Sequence, residues 1–509
     1  MATATPLPET APEHRGLAHW MQRVVKQVEA LRTVPDKDAV HDLRVAIRRC
    51  RSVAAVMREV DPDPAWHEMR RLPKKLFRKL GELRDTQIMD EWLGEHGAEN
   101  DRLRLTFHAY FQQRQPKLVQ SALRLASKFD AKRWQHLESR LRKRIRLVPA
   151  GSLAAQCLAV ERLNEAKDLH AKALRADKPT AWHGLRIGLK KFRYTVESLL
   201  PQEYEAWSAS LKQLQDILGE VHDLDVLGGI IRQKATGEAA ALQPEWERTI
   251  DRQRSARLQD YRELALGKDS VWHTWQQTLP RHKRLQIAAV ARLRATARAM
   301  DAHPRRSAQI SRLSVALFDA LGRAHSAPVF DDRDSRRVLR VAARLSGLSL
   351  KSARKPRRKA VRQFLLDRPV PPSWTRREWE LLAWTLRFHR GPEPKAKYAK
   401  SGGAFARLQE YQQSNVRALA GILRLARGLR KCKIECRSGF RVEKTAAAVL
   451  LHVPGLVDTV ENAARLAAAK HLLDTHLGKP LIVKPTSPSH VVALPAPVDT
   501  QIAFAAASD

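Results

Sequence analysis

Two stretches of this 509-residue chain carry the same set of cationic side chains at the same spacing. His41-Asp-Leu-Arg-Val-Ala-Ile-Arg-Arg-Cys-Arg51 returns 142 residues later as His183-Gly-Leu-Arg-Ile-Gly-Leu-Lys-Lys-Phe-Arg193. At about 100° per helical residue, His41, Arg44, Arg48 and Arg51 fall within roughly 80° of one another, as do His183, Arg186, Lys190 and Arg193. Like charges on one stripe repel unless a polyanion neutralises them. Guanidinium offers phosphate oxygens a bidentate fork, and the lysine ammonium offers a point charge. Phosphate is therefore the natural ligand, set against the plainer reading of two solvated helix faces headed by surface histidines. Two copies that keep His, Leu, Arg and Arg while other positions drift favour the ligand.

The elements that must hold these stripes are legible around them. Leu43, Ile47, Cys50 and Ala54, matched by Leu185, Leu189, Phe192 and Val196, lie roughly 110° from the stripe centre and form the expected core side of each helix. A second block also recurs: Lys74 to Asp85 aligns with Lys212 to Asp223, with Leu-Gly-Glu in both, so Lys74 matches Lys212, Arg84 matches His222 and Asp85 matches Asp223. A duplication into two helical halves is implied. From Arg15 to about Arg298 apolar residues recur at three and four, with breaks at Thr33–Asp38, Asp61–Pro64, Leu147–Gly151 and Asp177–Thr180. The spacing predicts an all-α region there and more helices from Ala302 to Leu429, interrupted by the prolines of Arg368–Trp374. Short strands are expected at Lys433–Arg437, Arg441–Lys444 and Ala447–His452, a helix at Val460–His476 and a returning strand at Pro480–Lys484. That makes a β-β-β-α-β cap.

Composition narrows the partner. The chain holds 92 Lys+Arg against 54 Asp+Glu, a formal charge of +38, and both parts share the excess: +17 in residues 1–300 and +21 in 301–509. Such a field gathers polyanions, with strong salt dependence; nucleic acid, anionic membrane and inorganic polyphosphate are the candidates. With 43% apolar residues the chain can build real cores. No apolar run nears the roughly 18 residues of a membrane span, and Met1–Glu13 lacks a secretory pattern, so a cytoplasmic protein is expected. Cys50, Cys157, Cys432 and Cys436 are too scattered for a disulfide framework, and Cys432-x-x-x-Cys436 lacks a second ligand pair for a metal.

The paired motifs, His-x-Leu-Arg-x-x-x-Arg/Lys-Arg/Lys-x-Arg followed by Leu-Gly-Glu-x-x-Asp, resemble the CHAD domain, the conserved histidine α-helical domain, over roughly Gly16 to Val290. The resemblance implies two pseudo-symmetric helical bundles whose basic residues line a central channel for inorganic polyphosphate. It places His41, Arg44, Arg48, Arg49, Arg51, Lys74 and Arg78 on the channel from the first half. From the second half come His183, Arg186, Lys190, Lys191, Arg193, Lys212 and His222. Asp216 stands opposite Arg78, so the second block is the less basic. Asp85, Asp223 and Asp225 are expected to orient neighbouring Arg or His side chains.

A further resemblance, over residues 305–485, is to the C-terminal HD-like helical domain of the exopolyphosphatase and guanosine pentaphosphatase family. It rests on Ile310–Asp319, Leu339–Leu345, Leu386–Pro394 and Ile422–Leu429. An HD hydrolase needs His, a His-Asp pair and a later Asp around its metals. The aligned positions here are Arg306, Ser346, Gly347 and Arg427, none of them such a ligand, so the resemblance implies an inactive HD domain. No phosphate-binding Gly-rich pattern stands for that family's amino-terminal catalytic domains. A secondary anion site is one reading of Arg306, Arg357, Arg358, His389, Arg390 and Arg427, with a purely structural capping or packing role the plainer one for His389 and Arg390, next to an acid-free basic run from Lys351 to Arg362 whose plainer reading is a solvated loop.

The expected organisation is mainly α: residues 1–13 flexible, a CHAD domain at 14–295 with halves at about 14–150 and 151–295, an HD-like domain ending in a small α/β cap at 296–484, and a tail at 485–509. The expected function is non-catalytic polyphosphate binding at polyphosphate granules, without cofactor or metal, alongside polyphosphate-metabolising enzymes as partners. Non-specific nucleic-acid binding is the alternative, although no helix-turn-helix, zinc finger or stacking platform is visible and aromatic content is 6%. A polyphosphate or nucleotide phosphohydrolase is a weaker one, since no activated nucleophile or metal site stands out. Membrane-surface binding is not expected, because the stripes lack adjoining apolar area.

Overall fold

The computed structural model describes residues 16–96, 98–235, 238–324, 327–348, 357–391, 405, 407–435 and 439–486; for 238–239 and 357–359 it describes the backbone alone. Packing divides the chain into two compact units, 1–302 with 369–375 and 303–368 with 376–509. The expected tail and N-terminal arm, Pro485 and Thr486 apart, lie outside the described residues.

Helices begin in the first unit where Asp, Ser or Pro interrupts the periodic runs. After α1 (Leu17–Thr33), Asp36 accepts from the Ala39 N–H to open α2 (Lys37–Val60). Asp63 and Pro64 start α3 (Pro64–Arg71), which precedes α4 (Lys74–His96). Asp101, Asp130 and Ser152 cap α5 (Arg102–Ser127), α6 (Ala131–Arg144) and α7 (Leu153–Ala176). Asp177, left-handed at φ 42°, ends α7, and prolines at the first turn start α8 (Pro179–Leu199) and α9 (Pro201–Lys234). Then come α10 (Glu238–Ala265), α11 (Val271–Thr278) and α12 (His282–Met300). The division expected at 295/296 falls inside α12.

The duplication is visible in the packing. In the first half α1 packs on α2, α2 on α4 and α4 on α5; in the second α7 packs on α8, α8 on α9 and α9 on α10. Equivalent helices also meet across the pseudo-symmetry: α2 with α8, α4 with α9, α5 with α10. One difference is a single residue's doing. Pro73 splits α3 from α4, whereas Leu211 at the matching place lets α9 run on unbroken. The core side foreseen for each stripe helix is fully buried, from Leu43 and Ile47 to Phe192 and Val196. Burying a Leu, Ile or Phe side chain contributes about 1.5–3 kcal/mol each, so these faces fix the rotation of α2 and α8. The stripes thereby point away from the core.

The second unit packs α13 (Pro304–Ala324), α15 (Arg333–Leu345), α17 (Arg376–Phe388) and α18 (Glu410–Lys431), with short α14 (Pro328–Asp331) and α16 (Arg357–Leu366) between them. Its cap is β1 (Arg441–Lys444), β2 (Val449–Pro454), α19 (Val460–Leu477) and β3 (Leu481–Thr486). β1 pairs antiparallel with β2 from Arg441↔His452, and β3 runs parallel to β2 from Val449↔Leu481. The strand expected at Lys433–Arg437 does not form over 433–435, and Cys436 and Arg437 lie outside the described residues. Its backbone donors close α18 instead: Lys433, at φ 62°, donates to Arg430 O at 3.1 Å and Ile434 to Leu429 O at 3.1 Å. The cap is therefore β-β-α-β.

Candidate functional site

The contact of α2 with α8 brings the two basic stripes together. Arg44 and Arg48 from α2 lie within the fields of Arg186 and Lys190 from α8. Asp85 at the end of the α4 block and Asp223 at the end of the α9 block stand in the same cluster. The block that recurs in sequence thus delivers one carboxylate per half to the place where the stripes converge.

Arg44 is held over α4. A Cβ built at Gly81 would stand 2.9 Å from Nη1 of Arg44, so the glycine of Leu-Gly-Glu makes room for the guanidinium. At Gly219, the matching residue, a Cβ would meet nothing within 4 Å. Arg44 lies 5.6 Å from the centroid of the Phe77 ring, and Arg48 lies 5.7 Å from that of Tyr194.

The electrostatics of the cluster are strained. Burial first, then Arg186, Arg48 and Arg44, pull the Lys190 ammonium down to about 7, against the attraction of Asp223. Burial lifts Asp85 and takes Asp223 up to about 6, with Asp85 adding to the rise at Asp223 and Arg186 opposing it. Among the described residues neither aspartate makes an ion pair within 4 Å. Buried and without a hydrogen-bond partner are Nη1 of Arg44 and Nε of Arg48, Arg186 and Arg193. An unfilled buried donor costs about 1–3 kcal/mol, more when charged. Among the described residues these donors have no acceptor.

The histidines differ between the halves. His183 and His222 face each other with Nδ1 atoms 3.1 Å apart and ring centroids 4.5 Å apart. One must donate and the other accept, and both are held below the ordinary imidazole range: burial and then Arg186 take His222 to about 4. His41 is exposed, and Arg84 stands where His222 has its counterpart, acting on Arg44.

Other expected channel residues are placed elsewhere. Arg49 makes an ion pair with Glu197 of α8 and lies over Trp20 and Tyr194, 5.0 and 5.9 Å from their centroids. Lys191, its counterpart, pairs with Glu165 of α7 at 2.6 Å. Both side chains are engaged in holding helices together. The spacing itself carries the reason, since the ninth residue of the motif, eight on from the histidine, stands roughly 120° from the stripe centre on the helical wheel. Arg51 donates to Arg70 O at 2.9 Å. Lys74, Arg78 and Lys212 are exposed, and Arg78 lies 3.9 Å from Glu82. Asp225 accepts from Arg254 at 2.8 Å, tying α9 to α10, and also acts on His183. Arg84 and Tyr194 belong to the cluster and were not in the expected set; only the alignment of Arg84 with His222 pointed to the former.

In the second unit Arg390 and Arg306 both act on Arg427, and Arg390 donates to the Ser346 carbonyl at 3.5 Å, beside Gly347. His389 is buried. The side chains of Arg357 and Arg358 and the run 351–356 lie outside the described residues. Among those described, no group of three or more His, Cys, Asp or Glu side chains is placed to hold a metal ion, and no helix is long and apolar enough to cross a membrane.

The first unit is thus a duplicated helical domain that focuses the cations of its two copies on one place. Residues 15–232 match the family model of the CHAD domain, and this part of the chain is a CHAD domain. A similar solved structure is the crystal structure of the CHAD domain from the plant Ricinus communis. It is 20% identical with a TM-score of 0.35, over 52% of this chain and 90% of that one. No curated protein matches the chain.

Proposed function

We propose that the CHAD domain binds inorganic polyphosphate, without catalysis, where α2 meets α8. The observation that carries this reading is the convergence of Arg44, Arg48, Arg186 and Lys190 with guanidinium nitrogens buried and unpartnered. The association of CHAD domains with polyphosphate supports the same ligand. A chain of phosphates would supply acceptors to several forks at once, raise Lys190 back toward full charge and release its own counterions. Affinity then grows with chain length and falls steeply with salt. Residence at polyphosphate granules in the cytoplasm, beside enzymes that make or consume the polymer, follows from such binding. The second unit, in this reading, is an HD-like domain without hydrolytic metal ligands, since Arg306, Ser346, Gly347 and Arg427 stand at those positions.

The test is binding to polyphosphates of several lengths in about 150 mM salt, near the ionic strength at which screening extends about 8 Å, in competition with duplex DNA of equal charge. Loss of a charge-assisted contact weakens binding by about 1.5–3 kcal/mol, so Arg44→Ala and Arg186→Ala should each cost on the order of 10- to 100-fold. Equal competition by DNA, or unchanged affinity in both folded variants, overturns the reading.

A further inference from the structure

The second unit brings several cations together at the end of α17 and on α18. Arg424 of α18 donates to the Phe388 carbonyl at 2.9 and 2.8 Å and to the Gly391 carbonyl at 2.7 Å, which clamps the segment after α17 against α18. That clamp sets His389 and Arg390 beside Arg427, one turn further along α18, with Arg430 and, from the first turn of α13, Arg306. Burial, then Arg390, Arg306 and Arg430, bring the Arg427 guanidinium down to about 9, and among the described residues no acid opposes them. Nη1 of Arg427 and Nε of Arg430 are buried without a partner. In the first unit Asp85 and Asp223 moderate the same crowding; no acid among the described residues does so at Arg427.

His389 gives the group a second property. It is 5% exposed, and its Nδ1 lies 2.6 Å from the carbonyl of Leu386. A carbonyl only accepts, so Nδ1 carries the hydrogen. Burial and then Arg427 hold the ring's pKa at about 3, so it is neutral near pH 7 and Nε2 is a bare acceptor. That atom too is buried and unpartnered. A cluster of cationic donors with one acceptor suits an oxyanion that keeps a hydroxyl.

We propose that Arg306, Arg390, Arg427 and Arg430, with Nε2 of His389, form an anion site for a single protonated phosphate group, filled at neutral pH by orthophosphate. Guanidinium forks take the charged oxygens, and Nε2 accepts from the P–OH. Sulfate has the same shape and charge but no hydroxyl, and the inner phosphates of a polymer have none either. The end of a polyphosphate chain qualifies only below about pH 6, where a phosphate end group regains its second proton. The site goes beyond the polyphosphate reading and does not depend on it.

The experiment is calorimetric titration of the full chain at pH 7.5, taken as roughly the neutral range in which phosphate end groups have lost their second proton. Orthophosphate, sulfate and a medium-length polyphosphate are compared at matched ionic strength. The proteins are the parent chain, Arg427→Met, Arg306→Met and the double variant Arg44→Ala/Arg186→Ala. Orthophosphate should bind the parent and the double variant alike, at least tenfold more tightly than sulfate, and lose that binding in Arg427→Met. Arg306 is exposed, so Arg306→Met keeps the test valid should Arg427→Met misfold, and it should weaken binding in the same direction. Binding lost in the double variant and kept in the two methionine variants moves the site to the first unit and overturns the proposal. Equal affinity for sulfate, or no orthophosphate binding, overturns it as well. Because the double variant alone disables the polyphosphate cluster, failure here leaves the polyphosphate reading separately testable.

Discussion

The two copies of the stripe occupy equivalent helices and differ in how their charge is held. On α2 the cluster is reached by Arg44 and Arg48, guanidiniums that stay charged throughout the physiological range, with Arg84 behind them. On α8 it is reached by Arg186 and by Lys190, whose ammonium titrates near neutrality, with the neutral His183–His222 pair behind them. Duplication fixed where cations stand, and divergence decided which of them can lose a proton. One half supplies guanidinium charge alone, and the other adds a charge that can be lost, that of Lys190.

The largest effect that sharpens this comparison concerns the position both copies turn away from the stripe. Arg49→Ala leaves Glu197 without its cation at a site where both side chains are mostly buried, so thermal or denaturant unfolding should register a loss of roughly 3 kcal/mol. Lys191→Ala breaks a half-exposed pair and should cost less than about 1 kcal/mol. Equal losses would mean that the two halves are not differently tied.

A smaller effect is expected at the paired glycines. In Gly81→Ala the new methyl meets Nη1 of Arg44 and must push the guanidinium aside, so polyphosphate affinity should fall several-fold, on the order of 1 kcal/mol. Gly219→Ala has open space and should bind as the parent does. A fall in both would show that the glycine serves α4 and α9 themselves rather than Arg44.

The pH dependence is of the same order as the glycine effect. Bound polyanion raises the pKa of Lys190, so the complex holds more protons than the free protein. Affinity should therefore rise as pH falls from 8 to 6 through the free value of about 7, by up to roughly tenfold if Lys190 becomes fully charged in the complex. Lys190→Arg should remove most of that slope, because guanidinium does not titrate there. A remnant near pH 6 belongs to Asp223, whose carboxyl sits at about 6 and takes up a proton beside a polyanion. An unchanged slope in Lys190→Arg would transfer the effect to Asp223 and to the weakly basic His183–His222 pair.

Much of the fold was legible because it is local. The helix breaks fall at Asp36, Asp63, Ser152 and Asp177, where side chains cap or terminate helices, and β1 and α19 begin at the residues their patterns indicated. The strand at Lys433–Arg437 was misjudged because its alternation competes with the end of α18, which captures the same N–H groups. The candidate site was half legible. Repetition marked Arg44, Arg48, Arg186 and Lys190 and the block ending in Asp85 and Asp223. It equally marked Arg49 and Lys191, since a repeat retains helix-tying ion pairs as faithfully as it retains ligands.

By itself the sequence determined that two amphipathic helices each carry a cationic stripe opposite an apolar face, because periodicity and charge are properties of single segments. Only the tertiary structure decided that α2 packs on its own duplicate, that Asp85 and Asp223 stand beside the converging stripes, and that Lys190 sits near neutrality. These depend on distances between residues far apart in the chain and on how much water their packing removes, and neither is written in any one segment.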